Sequence, residues 1–86
     1  MTKPEYELTV HAATVIARRA IDVSWIERVL TKPERIEVDE TDRSLTHALA
    51  KIPECGDRVL RVVYNAYGDP LRVVTAYFDR RERGNR

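Results

Sequence analysis

The sequence predicts an α+β domain in which two N-terminal helices pack on one face of an antiparallel four-stranded sheet, in the order ααββββ. Three observations predict it. Apolar residues recur at helical spacing through the first third of the chain, period-two and β-branched segments fill the rest, and the links between segments are short and rich in turn residues.

The first helix is read over residues 10–20, where Ala12, Val15, Ile16 and Ala20 form an apolar stripe and Thr9 is placed to cap the N-terminus. Ile21 packs under its end. A second stripe, Trp25, Ile26, Val29 and Leu30, marks a helix over 23–30; Asp22 or Ser24 caps it, and Ser24 with Glu27 fits a capping box. Pro33 stops it. Strands follow. Residues 35–39 alternate strictly, while 58–64 and 71–78 are β-branched and apolar. Residues 44–52 fit either a two-turn helix capped by Ser44 or a strand; the place of this segment between two clear strands favours a strand, against its alanine content. Turns are read at 40–43, 54–57 and 65–70.

Composition bounds the rest. The chain has 86 residues, enough for one small domain over residues 1–86, with 80–86 expected to fray. The lone Cys55 cannot form an internal disulfide, and the first five residues lack the apolar core of a signal peptide, so a cytoplasmic location is expected. No apolar run approaches spanning length, so no membrane partner is expected. Net charge is only +1, yet it is segregated: residues 34–57 carry seven acidic and three basic groups (−4), and residues 58–86 carry three acidic and seven basic (+4). Most of the basic residues are Arg, which suits bidentate binding of phosphate or carboxylate.

Several chemistries are set aside on these residues. Two distant His and one Cys do not make a zinc motif, and the three isolated glycines, Gly56, Gly68 and Gly84, do not make a phosphate loop or a nucleophile elbow. No cofactor is expected. What remains is metal-free acid–base chemistry, or binding. Period-two alternation assigns Leu60, Val62, Val74 and Phe78 to the helix-covered face of the sheet, and Arg61, Val63, Thr75 and Tyr77, with His47 or Lys51, to the other. An Arg that holds phosphate beside a Tyr or His that moves a proton is the minimum equipment for metal-free phosphodiester cleavage. The plainer reading is a solvated sheet face. His11, flanked by small apolar residues at the start of the first helix, reads either as a tuned acid or base or as a helix-entrance residue.

His11-Ala12, Arg19, Ile21, Leu30 with Pro33, the segment from Arg58 to Val63 and the segment from Arg72 to Tyr77 resemble a family of small bacterial domains of unknown function. Members open with a helix of the form H-A-x-x-R-x-x-x-R-G-I. The resemblance runs from about Tyr6 to Arg81; this chain lacks the first helical Arg of the pattern and carries Ala20 where the pattern has Gly. That family is in turn similar to toxins of the RelE/BrnT type, which cleave RNA by attack of the ribose 2′-hydroxyl on the adjacent phosphate. The resemblance implies RNA or the ribosome as target and an antitoxin protein as partner. It nominates His11, Arg19, Arg61 and Tyr77 for catalysis, with Thr75, Arg72 and His47 for substrate binding and no metal. The competing expectation is a non-catalytic domain that binds a protein, or a second copy as a homodimer, through an exposed strand edge.

Overall fold

A computed structural model describes residues 5–83, with side chains to Arg80. The order is β1 (Tyr6–Leu8), α1 (Val10–Arg18), α2 (Val23–Thr31), β2 (Arg35–Val38), β3 (Leu45–Ile52), a single 3₁₀ turn (Pro53–Cys55), β4 (Arg58–Asn65) and β5 (Leu71–Arg83). The sheet has five strands in the order β1-β5-β4-β3-β2. The expected four-stranded antiparallel sheet is therefore corrected: the meander β2 to β5 is antiparallel, and β1 joins β5 in parallel with Tyr6, Glu7 and Leu8 opposite Leu71, Arg72 and Val73. Three residues are too few to show a period of two, which is why this strand has no signature in the sequence. Backbone bonds from Leu71 N to Glu5 O and from Thr9 N to Val73 O, both 3.0 Å, hold it in place. Strand β5 runs through Arg83, into the segment expected to fray, while residues 84–86 lie outside the described residues.

Local chemistry explains both helices. The Thr9 hydroxyl accepts from Ala12 N at 3.0 Å and so caps α1; Asp22, not Ser24, caps α2 by accepting from Ser24 N at 2.8 Å. The turn between them closes with Ile21 N donating to Ile16 O at 3.0 Å and Ala20 N donating to Ala17 O at 3.2 Å. These two bonds define a Schellman motif, whose C′ residue takes the left-handed conformation. Here that residue is Ala20, at φ +56°.

The core lies between the helices and the sheet. Ala12, Ile16, Ile21, Ile26 and Val29 meet Ala48, Ala50, Ile52, Leu60, Val62, Val73 and Ala76. Segment 44–52 is a strand, and its alanines explain the ambiguity: Ala48 and Ala50 both face the helices, where a small side chain lets the backbones approach closely. Expectation failed at two positions: Ala20, assigned to the apolar stripe of the first helix, is exposed in the turn beyond Arg18, and Val74 does not hold a core place. The register slips between Val63 and Tyr64, pairing Val63 with Thr75 but Tyr64 with Val73. Val74 is the extra residue of this bulge, so fully buried Val73 takes the core position assigned to it. Tyr6 fastens β1 to α2 by donating its hydroxyl to Glu27 Oε2 at 3.0 Å; burial, then the bond and the charge of Glu27, pushes the phenol up to about 12. Among the described residues no helix is long and apolar enough to cross a membrane.

Candidate functional site

Two polar constellations occupy different parts of the sheet. The first is a cleft of about 500 Å³ at the junction of the Schellman turn, the start of α2, the 3₁₀ turn and the far end of β5. Arg19, Arg58 and Arg80 line it together with Trp25, Tyr77, Phe78, Ala20, Ile21 and Cys55. The aromatic side chains order it. Trp25 meets Phe78 edge-on, with ring centroids 6.2 Å apart at 66°, and the Arg58 guanidinium carbon lies 4.4 Å from the Phe78 centroid. Arg19 extends from the C-cap of α1 across the cleft rim, and NH1 donates to Ala76 O at 2.8 Å. That carbonyl belongs to the part of β5 beyond the reach of the three-residue β1, so Arg19 satisfies an edge group with one nitrogen. A cleft with three guanidinium groups and aromatic rings offers charge-assisted donors to phosphate and flat apolar faces to a base.

The second constellation crosses four strands. Arg61 on β4 donates from Nε to Asp79 Oδ2 at 2.8 Å, and its NH2 lies 2.7 Å from the same oxygen; its NH1 reaches Glu37 Oε1 at 3.3 Å and His47 Nδ1 at 2.8 Å. His47 Nε2 is 2.7 Å from Asp39 Oδ1. Because a guanidinium only donates, His47 Nδ1 must accept, and the ring proton sits on Nε2 and is donated to Asp39. Arg61 and Asp79 are only 6% and 5% exposed. Burial pulls the Arg61 guanidinium down, and the hydrogen bonds to Asp79 and Glu37 outweigh it, leaving it above its ordinary value. Asp39 is held below the usual carboxylate range, first by the backbone N–H of Asp42 and then by His47. A second cavity, of about 290 Å³, opens beside this network, with Glu37, Asp39, Glu40, His47, Arg61 and Tyr77 in its wall. Its rim is acidic, which opposes an anionic ligand.

The comparisons add one finding. The family described as Domain of unknown function (DUF4258) matches residues 8–78. The chain belongs to this family. No curated protein and no solved structure matches it. The DUF4258 span takes in Arg19, Trp25, Arg58, Arg61, Tyr77 and Phe78 and stops just before Asp79 and Arg80.

In this DUF4258 domain the residues nominated from sequence do not converge on one point. Arg19 and Tyr77 line the basic cleft, whereas His47 and Arg61 belong to the buried network; Tyr77 contributes to the walls of both cavities. His11 is exposed on the first turn of α1, since Ala12, Val15 and Ile16 are the positions that α1 buries, and it lies outside both cavity walls. Arg72 is exposed beside Glu7, with NH2 3.5 Å from Oε2, across the β1–β5 pair. Thr75 is half-buried opposite Val63. Among the described residues no group of three or more His, Cys, Asp or Glu is placed to hold a metal ion. Sequence reasoning did not single out Arg58, Arg80, Asp79, Glu37 or Asp39 as site residues, and it placed Trp25 and Phe78 in apolar stripes. The charge segregation was the signal that could have found the cleft: two of its three arginines come from the basic segment 58–86.

Proposed function

We propose that this DUF4258 domain binds single-stranded RNA in the Arg19–Arg58–Arg80 cleft and cleaves it without a metal ion, as the resemblance to RelE/BrnT toxins implies. The observation that supports the reading is the interleaving of three arginines with Trp25, Tyr77 and Phe78 around one cleft. Phosphate oxygens take the guanidinium N–H groups, and a base stacks on the exposed ring surface. In the cleavage step the ribose 2′-oxygen attacks the adjacent phosphorus and its proton passes to water. The P–O5′ bond breaks, and Tyr77 donates its hydroxyl proton to the departing 5′-oxygen and recovers one from water, leaving a 2′,3′-cyclic phosphate and a 5′-hydroxyl. Arg19 and Arg58 stabilise the charge that gathers on the phosphoryl oxygens. Arg61 has a different part in this scheme: its three nitrogens are held by Asp79, Glu37 and His47, so it braces the sheet beneath Tyr77.

The test is inducible expression in a bacterium with mapping of new RNA 5′ ends, comparing the native chain with Arg19→Ala, Arg58→Ala and Tyr77→Phe. Growth arrest with new ends that vanish in the three variants, and persist in His11→Ala, supports the proposal. Normal growth with unchanged RNA and abundant folded protein overturns it and leaves the non-catalytic binding domain as the better reading. Binding is read separately in the purified domain. The sole tryptophan, Trp25, lines the cleft, so its emission follows a titration with oligouridylate. Each Arg→Ala change is expected to lower the slope of log affinity against log salt by about 1.

A further inference from the structure

Strand β2 is the outer strand on one side of the sheet. The phase of its ladder says which backbone groups it leaves open. Asp39 N donates to Leu45 O at 3.0 Å, and the register runs back through Val38↔Thr46, Glu37↔His47, Ile36↔Ala48 and Arg35↔Leu49. Hydrogen-bonded pairs alternate in an antiparallel ladder, so Arg35 and Glu37 turn their N–H and C=O toward β3, and Ile36 and Val38 turn theirs away from the sheet. Those same two residues are each 56% exposed. The side chains follow the same alternation: Ile36 and Val38 lie on the face that carries the helices, beside Ala48, but the main helix contacts fall on β3, β4, β5 and β1. Natural edge strands are usually blunted by charge, proline or a cover. Here the outward backbone groups belong to two exposed aliphatic residues at the end of the strand order.

The charges of β2 choose the occupant. Arg35 and Glu37 flank Ile36 with opposite sign and equal spacing, and in the single chain Arg35 Nε is already 2.8 Å from Glu37 Oε2. A two-fold axis through Ile36 sets Ile36 against Ile36 as a hydrogen-bonded pair and sets each Arg35 across from Glu37 of the other copy. Moving the axis to Glu37 would oppose two like charges. An arbitrary extended peptide would gain the backbone bonds without this charge match, whereas a second copy of the chain supplies it on both sides of the axis.

We propose that two copies of this domain pair their β2 edges antiparallel about Ile36, joining two five-stranded sheets into one continuous sheet. The contact is short, so association is weak and concentration-dependent, and it does not rest on the RNA reading because β2 lies at the opposite side of the sheet from the end of β5 that lines the cleft.

Sedimentation velocity over a wide concentration range tests it, using the native chain, Ile36→Lys, Ile36→Glu and an equimolar mixture of the two variants. The native chain should move from one toward two monomer masses as concentration rises. Each variant alone opposes like charges across the axis and should weaken association roughly tenfold or more. The mixture places Lys against Glu and should restore the dimer. Far-UV circular dichroism and Trp25 emission confirm that the variants fold, as expected for a change at an exposed position. A native chain that stays monomeric overturns the proposal. So does a dimer that survives Ile36→Lys, and so does a mixture that fails to associate when both variants are folded, since that result removes the Ile36-to-Ile36 register.

Discussion

Replacing Ala20 by Gly should stabilise the domain, although the change removes a methyl group. Ala20 is the C′ residue of the Schellman turn at φ +56°, a conformation that crowds the Cβ of an L-residue against its own backbone and costs about 1–2 kcal/mol. The residue is exposed, so the lost methyl forfeits little packing. Against the gain stands the greater freedom of Gly in the unfolded chain, about 0.5–1 kcal/mol. The difference is a net stabilisation of about 0.5–1 kcal/mol, or a rise in Tm of about 2–8 °C for a chain of this size. Urea titration followed by Trp25 emission, with calorimetry for Tm, measures it. The control is Ala17→Gly, one turn earlier and also exposed but inside α1, where Gly should cost about 1 kcal/mol. Opposite signs at positions 17 and 20 are the expected result. A loss of stability at both would mean that the turn does not hold Ala20 in the left-handed region.

Further outcomes follow from the same geometry. Asp79→Ala strands the buried Arg61 charge and should cost about 3–5 kcal/mol by urea titration, whereas replacing both residues by apolar ones of similar volume should recover most of that loss. Thr9→Ala removes the side-chain acceptor for Ala12 N and should cost about 1 kcal/mol in the same assay. Glu54 receives both Arg28 nitrogens at 2.9 and 2.7 Å, which first among its influences lowers its carboxyl to about 2 from an ordinary 4.5. A depressed folded value means that its contribution is complete above the unfolded value and disappears as pH falls from about 4.5 toward about 2; the urea midpoint should therefore slope less steeply with pH over that window in Glu54→Gln.

The parts of the fold that were legible in the sequence are those governed by local rules. Thr9 and Asp22 sit where a helix must satisfy its first N–H groups, and the alternation in 35–39 and the β-branched run in 58–64 mark strands wherever the partner comes from. What was hidden depends on pairing across the chain. Strand β1 is extended because Leu71 and Val73 offer it a ladder, and the bulge at Val74 exists because β4 and β5 pair out of step. The bulge matters beyond one core position. By inserting one residue it resets the alternation along β5, which brings Ala76 and Phe78 to the helix side and Asp79 to the face of Arg61. The candidate site was half legible for the same reason. Arg61, His47 and Tyr77 were correctly grouped by period two, but nothing in a single strand tells that Asp79 and Glu37 would neutralise Arg61.

That neutralisation supports the proposed cleft, rather than Arg61, as the place that receives an anion. An arginine surrounded by Asp79, Glu37 and a histidine acceptor has a fixed geometry with all three guanidinium nitrogens engaged, so a phosphate would have to compete with carboxylates already bound in a buried setting. Arg58 and Arg80 face the opposite circumstance: both are exposed, and Arg58 lies over an aromatic ring that accepts its charge without consuming its N–H groups. Arg19 spends one nitrogen on a carbonyl and retains other donors. The segregation of charge along the chain thus becomes a segregation in space, with the acidic residues of β2 and its following turn gathered around the braced Arg61 and the arginines of the cleft around Phe78. Tyr77 stands between them, adjoining both cavities, so the brace that fixes Arg61 on β4, directly across from Tyr77 on β5, also fixes the strand that carries Tyr77 and Phe78. On this reasoning Arg61 is a positioning residue. Replacing it should loosen the sheet and diminish cleft binding together, whereas replacing Arg58 should diminish binding alone.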